Sequence, residues 1–234
     1  MNKTIENHRK AGRISTALAL AGWYEDSPAR EGEFTDQFAE SCRDKVVIDC
    51  GAHYGYYSAI AVAAGAKRVH AFEPNVEITG DILHGAFDKY VNVILHHYAL
   101  SYHEGRINLI ARPESPRCLA ATEEIAMNFH GPDQKWDRAT VVQSFRCVPL
   151  DQVITEKVDV IKCDTEGGEG VIFHGAQRIL AEDRPKIFLE LHNIPKEQRD
   201  ELQRLLRVFG YPADFSDFDG FLKRCVLEYD GADH

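Results

Sequence analysis

The chain has no C-x-x-C pair, no G-x-G-x-x-G turn, no Gly-Lys-Ser/Thr step, no block of basic residues and no apolar stretch of membrane-spanning length. Each absence removes a class of function. Six cysteines without paired spacing (Cys42, Cys50, Cys118, Cys147, Cys163, Cys225) argue against a zinc ribbon or a dithiol redox site, and they read as buried free thiols. A net charge of −10 repels nucleic acid and anionic membrane, so neither is an expected partner. The polar start, Met1 to Lys10, is unlike a signal peptide, and the expected location is the cytoplasm. There is no internal repeat and no low-complexity tract. What is present is ordinary for one well-cored globular domain: 234 residues, 44% of them apolar.

Organisation follows from periodicity. Residues 1–45 read as an N-terminal helical cap, with Ile14, Leu18, Leu20 and Trp23 on one apolar face and Phe34, Phe38 and Cys42 on a second segment after Ser27-Pro28. From residue 46 to 234 the pattern alternates between short, nearly continuous apolar runs and helical stretches, as in parallel strands covered on both faces. Strands are expected at 46–50, 68–72, 92–98, 158–163 and 186–191. Helices are expected at 56–64, 76–89, 170–180 and 196–209. Residues 102–147 break the rhythm: strands at 107–111 and 140–147 flank a polar stretch with Pro113, Pro116, Pro132 and Trp136, read as a substrate-facing insertion. The last stretch, Ala213 to Phe215 and then 221–227, reads as a closing antiparallel hairpin.

The motif that carries chemistry is Val46-Val47-Ile48-Asp49-Cys50-Gly51-Ala52-His53-Tyr54-Gly55, followed by Ala71-Phe72-Glu73-Pro74-Asn75. A strand, a glycine turn, a helix start and an acid closing the next strand form an adenosine site at the end of an α/β sheet. The glycine spacing is G-x-x-x-G, which does not match the turn that cradles a pyrophosphate. S-adenosylmethionine carries no phosphate and suits a more open turn preceded by Asp49. Glu73 is then placed to accept hydrogen bonds from both ribose hydroxyls. A nicotinamide cofactor in the same site is the alternative from another enzyme class.

Two segments together resemble the FkbM-type methyltransferases: residues 47–58 with Ala71 to Asn75, and Val158-Asp159-Val160-Ile161-Lys162-Cys163-Asp164-Thr165-Glu166-Gly167-Gly168-Glu169 with Phe173-His174-Gly175-Ala176. The resemblance covers about residues 46–192. It implies a Rossmann-like class I methyltransferase fold, a mostly parallel seven-stranded sheet with a C-terminal antiparallel hairpin. It also implies S-adenosyl-L-methionine as donor, and a hydroxyl on a sugar, glycan or natural product as acceptor, with an amide or amine nitrogen as the alternative. A homodimer is compatible with it.

Site residues follow from that frame. Asp49, Gly51, His53, Gly55, Glu73, Pro74, Asn75, Tyr98, Ala99 and Asp164 are the cofactor-binding candidates, Tyr98 and Ala99 by position beside the adenine. His192 is the expected general base, since imidazole titrates near working pH. Asp164 and Glu166 are the accompanying catalytic acids. Glu166 has the bland alternative of capping the helix that follows. Asp164, Glu166, Glu190 and His192 carry oxygen and nitrogen ligand atoms, but their spacing closes no metal motif and no metal is expected. Tyr54, Tyr56 and Tyr57 read mainly as core aromatics.

Overall fold

A computed structural model describes residues 33–79, 87–88, 90–112, 115–120, 141–192, 194–218, 220 and 222–231. Residues Ile14, Leu18, Leu20 and Trp23 of the expected cap, most of the expected helix at 76–89, and Pro113, Pro132 and Trp136 of the insertion lie outside them. The chain divides into two compact units, 1–97 with 158–162, and 98–157 with 163–234.

The first unit is built on parallel strands. β1 (Val46–Cys50) pairs in parallel with β2 (Arg68–Phe72), and β2 with β3 (Val93–His96). β1 is buried at every position because Val, Ile and Cys meet covered surface on both faces. The helix α1 (Glu33–Ser41) packs Phe38, and α2 (Tyr56–Ala64) is rich in alanine and almost wholly buried, its small side chains letting it lie close to the strands. Both ends of α2 are set by glycines in the left-handed region, Gly55 at φ 81° and Gly65 at φ 90°, where a Cβ is disfavoured. Tyr57 is core, as its sequence position suggests. Its ring stands edge-on to Phe38 at 5.2 Å and receives the ammonium of the fully buried Lys162 at 4.3 Å.

In the second unit the described residues of 102–147 are more regular than the sequence suggests. β4 (Ala99–Leu100), β5 (Gly105–Arg112), β6 (Ser115–Ala120) and β7 (Val141–Val148) form a sheet in the order β4-β7-β5-β6. β6 was not foreseen because Pro116 argues against a strand. It is tolerated there since β6 is the edge strand, where one face of the backbone needs no partner. The expected strand at 92–98 is shorter, β3 alone, and β4 follows it in the other sheet.

The remaining elements are a short α3 (Leu150–Val153), β8 (Val160–Cys163), α4 (Glu169–His174), a π-helical turn (Ile179–Asp183), β9 (Lys186–His192), α5 (Lys196–Val208) and β10 (Leu222–Leu227). The main sheet runs β10-β9-β8-β1-β2-β3, a mostly parallel sheet of an α/β fold. This sheet has six strands among the described residues, where seven with a terminal hairpin were expected. β10 pairs antiparallel with β9, but residues 211–215 turn instead of extending. Pro212 has no N–H to give a ladder, Asp214 accepts from Ser216 N–H at 3.0 Å, and the Phe215 N–H goes to the Gln203 side chain at 2.6 Å while its ring is buried. The helix expected at 170–180 is interrupted at 175–176, where Gly175 lies against the backbone at Ser101, and helical turns resume from 177.

That close approach makes a prediction. A Cβ at Gly175 would stand 2.1 Å from the Ser101 carbonyl oxygen, so Gly175→Ala should destabilise by at least about 1–3 kcal/mol, a fall in Tm of about 2–4 °C per kcal/mol. Gly170 in α4 has nothing within 4 Å of its built Cβ, and Gly170→Ala should be neutral or stabilising by up to about 1 kcal/mol. Thermal melts of both variants check the pair, and equal melts would overturn it.

Candidate active site

In the first unit the turn Gly51 to Gly55 carries three residues with positive φ: Gly51 (78°), His53 (48°) and Gly55 (81°). The Gly51 and Ala52 N–H groups both donate to the Phe72 carbonyl, at 3.0 and 2.9 Å, which fastens the turn to the end of β2. Glu73 follows directly. Its Oε2 accepts from the His53 N–H at 3.0 Å and its Oε1 from the Asn75 N–H at 2.9 Å, so both oxygens are fixed by main chain while the residue is only 6% exposed. Burial pushes the Glu73 carboxyl up to about 7, against the lowering effect of those two N–H groups and with a small further rise from Asp49.

Asp49 is also buried, and its Oδ2 accepts from the Ser58 hydroxyl at 2.6 Å. It ties the end of β1 to the first turns of α2. His53 acts in this structure through its backbone N–H, while its ring meets that of Tyr54 at 4.0 Å. Asn75 starts a single helical turn, Val76–Ile78, its carbonyl accepting from the Ile78 and Thr79 N–H groups. Among the residues of this turn and of 72–76 there is no Lys or Arg. The donor set, two carboxylates and main-chain groups, fits a phosphate-free adenosine ligand better than a pyrophosphate.

In the second unit the residues after β8 and at the end of β9 converge. His192 is nearly buried. Its Nδ1–H donates to Glu169 Oε1 at 2.9 Å, and its Nε2 stands 3.7 Å from Asp164 Oδ1 and 3.6 Å from Glu166 Oε2. The loop is shaped for this. Glu166 sits in the left-handed region at φ 52° and Gly167 at φ 99°, a conformation that costs a non-glycine residue about 1 kcal/mol. Glu169 Oε1 also accepts from the Gly167 N–H at 3.1 Å and the Thr165 N–H at 3.4 Å, so the local cap comes from Glu169, and Glu166 is turned toward the ring.

Burial pulls the His192 pKa down as its largest single influence, yet the Glu169 hydrogen bond and the charges of Glu169, Asp164 and Glu166 together outweigh it and raise the ring to about 9. At about 9 the ring holds its second proton at neutral pH. In that state it is not the free base that its intrinsic pKa suggests.

Glu190 goes elsewhere. It faces Arg224 across the β9–β10 pair at 3.1 Å, which removes it from the ligand set. Tyr98 lies under the Arg146 guanidinium at 5.6 Å, and Ala99 is buried in β4 opposite Cys147. Two residues had been given no role in the sequence. Ser58 stands one hydroxyl from Asp49, and Glu169 is the last acid of the second motif. For Glu169 the signal was present: an acid two residues after a Gly-Gly loop start can turn back on the loop's own N–H groups, as this one does.

The mostly parallel sheet, its glycine turn and the acid at the end of β2 define a Rossmann-like protein of the class I methyltransferase type. Residues 49–229 match the methyltransferase FkbM domain, and the chain belongs to that family. Among solved structures it is similar to a methyltransferase FkbM from Methylobacillus flagellatus, with 19% identity, 65% of this chain and 36% of that chain covered, and a TM-score of 0.44. It thus spans about a third of that protein's length. It is also similar to a precorrin-6y C5,15-methyltransferase from Geobacter metallireducens (15% identity, 82% and 85% covered, TM-score 0.43). An rRNA methylase from Streptococcus thermophilus gives 13% identity, 83% and 93% covered, and a TM-score of 0.47. At these values the likenesses carry no argument about the acceptor. No match was found among curated proteins. Among the described residues no helix is long and apolar enough to cross a membrane.

The Asp49–Ser58 bond can be tested by itself. Ser58→Ala removes a donor from a carboxylate that is 2% exposed, and should cost about 1–3 kcal/mol of stability. Asp49→Asn with Ser58 intact should cost less, since the amide keeps a hydrogen-bonding partner for the hydroxyl. Chemical denaturation of the two variants reads the difference, and a Ser58→Ala protein as stable as the wild type would contradict it.

Proposed function

We propose that this chain is an S-adenosylmethionine-dependent O-methyltransferase that acts in the cytoplasm on a hydroxyl of a small molecule, sugar, glycan or natural product. Family membership supports methyl transfer. The observation that carries the choice of cofactor is the Glu73 carboxylate, withdrawn from water and held by the His53 and Asn75 N–H groups beside a turn that offers no cation to a phosphate. Each oxygen keeps a lone pair for a ribose hydroxyl. Gly51, His53 and Gly55, with Asp49 behind them, would receive the methionine end, Pro74 and Asn75 would flank the ribose, and Tyr98 and Ala99 would border the adenine. When bound, the cofactor supplies a methyl group on a positively charged sulfur.

The chain's own residues must then orient the acceptor and take its proton. Positioning can supply several kcal/mol of the barrier, and a base within reach adds about 10²–10⁴-fold. Asp164 and Glu166 are the residues to take that proton and pass it on to solvent, while His192 beside them orients the acceptor oxygen. An alcohol suits the cluster better than an amine, because an alcohol needs its proton removed as it reacts, whereas a neutral amine is nucleophilic without that help.

Calorimetric titration with S-adenosylhomocysteine tests the cofactor assignment. The wild type should bind in the micromolar range and Glu73→Ala should lose most of that affinity. Because the carboxylate and not the acid accepts from both ribose hydroxyls, and burial raises Glu73 to about 7, affinity should rise by up to about tenfold in all from pH 6 to pH 8. Glu73→Gln should flatten that profile. Failure to bind S-adenosylhomocysteine, with binding of NAD or NADP instead, would overturn the proposal in favour of a nicotinamide enzyme.

A further inference from the structure

Glu169 has no water contact at all, and while its Oε1 holds the His192 ring and two backbone N–H groups, its Oε2 has no hydrogen-bond partner among the described residues. A wholly buried carboxylate aimed at one nitrogen of an imidazole does a specific thing. It fixes the ring's rotation and makes the opposite nitrogen the more basic, electron-donating one. That opposite nitrogen, Nε2, is turned toward the Asp164 and Glu166 carboxylates, and the three ligand atoms all lie within 4.8 Å of one another. Three carboxylates face one imidazole in a half-buried place, and a divalent cation that displaces the Nε2 proton would meet that nitrogen and two carboxylate oxygens.

We propose that Asp164, Glu166 and His192 form a binding site for a single divalent cation, Mg2+ or Mn2+, with Glu169 as the carboxylate that orients the histidine. A cation of this size holds its ligands at about 2.1 Å in an octahedron, which sets neighbouring ligand atoms about 3.0 Å apart and opposite ones about 4.2 Å apart. The observed separations from Nε2, 3.7 Å to Asp164 Oδ1 and 3.6 Å to Glu166 Oε2, fall between those limits, so small side-chain rotations complete the set. Two carboxylates and an imidazole suit a hard or borderline cation, and three protein ligands leave positions for water or an acceptor oxygen. Glu166 is the most exposed of the three, at 44% for its side chain, and gives the cation its way in. The strained backbone at Glu166 is then the means of bringing this carboxylate to the ring.

The site stands on its own residues, and its use rests on the methyltransferase reading. An acceptor hydroxyl oxygen bound to the cation would have its proton acidified. The proton would leave to solvent, the oxygen's electron pair would form the new bond to the methyl carbon, and the carbon–sulfur bond of the donor would break with its pair going to sulfur, leaving a neutral thioether.

The test uses the full chain, stripped with a chelator and titrated with Mn2+ alone, the free ion being read by its paramagnetic resonance signal. The expected result is stoichiometric binding of one Mn2+ in the micromolar range, displaced by excess Mg2+. Asp164→Asn and Glu166→Gln should each weaken it by about tenfold or more, and Glu169→Gln by about 10–100-fold. Asp200→Asn, an exposed acid paired with Lys196 on α5, should leave it unchanged. Absence of stoichiometric Mn2+ binding in the wild type, or undiminished binding in Glu166→Gln, overturns the site. Glu166 is exposed enough that its variant should fold even if the buried ones do not, and circular dichroism checks each. S-adenosylhomocysteine titration of the same samples separates the two readings: cofactor binding without Mn2+ binding sinks the cation site and leaves the methyltransferase standing.

Discussion

Burying a carboxylate is expensive unless hydrogen-bond donors meet it, and four are withdrawn from water among the described residues: Asp49, Glu73, Glu169 and Glu190. Each has its own solution. Asp49 takes a hydroxyl from Ser58, Glu73 takes main-chain N–H groups from both sides, Glu169 takes two N–H groups and an imidazole, and Glu190 takes a guanidinium. Asp49, Glu73 and Glu190 lie at or close to a strand end and Glu169 opens α4, so Asp49, Glu73 and Glu169 also hold the loops after β1, β2 and β8. A loop in this protein is held less by its own turn propensity than by an acid whose oxygens must be satisfied.

The two solutions that use main chain have different consequences. Around Glu73 the donors neutralise the need for a partner without adding charge, and the carboxyl stays close to its ionisation point, open to a neutral ligand's hydroxyls. Around Glu169 the ring adds a charge that Asp164 and Glu166 share, so the second cluster is strongly electrostatic and answers to cations. The same residue type thereby supports hydrogen-bond recognition in one unit and charge handling in the other. Glu190 shows the third outcome: paired to Arg224 along a strand register, it is structural.

Much of the scaffold was legible from residue patterns. β1 and β2, α2, β9 and α5 fall within a residue or so of where periodicity puts them, because buried parallel strands and an amphipathic or alanine-rich helix leave strong signals over five to thirteen residues. The motif residues Gly51, Gly55 and Glu73 could be singled out because φ > 0 and a strand-end acid are local demands. The errors also have local causes. β6 was hidden by Pro116, the terminal hairpin was suggested by Ala213 to Phe215, where the Phe215 N–H goes to the Gln203 side chain and no strand forms, and a helix was extended past a glycine whose neighbour lies far off in sequence.

The sequence by itself determined the α/β class, the strand-turn-helix that makes an adenosine site, the family, and the acids and histidine worth watching. These depend on residues within a few positions of one another. Tertiary structure alone decided which of those acids share a partner. Glu169 and His192 lie in different elements, and only the return of β9 beside the loop after β8 brings them to 2.9 Å, just as strand register alone sends Glu190 to Arg224. Ionisation follows from that company and not from residue type, which is why a histidine that reads as a neutral base in sequence becomes a cation among three carboxylates.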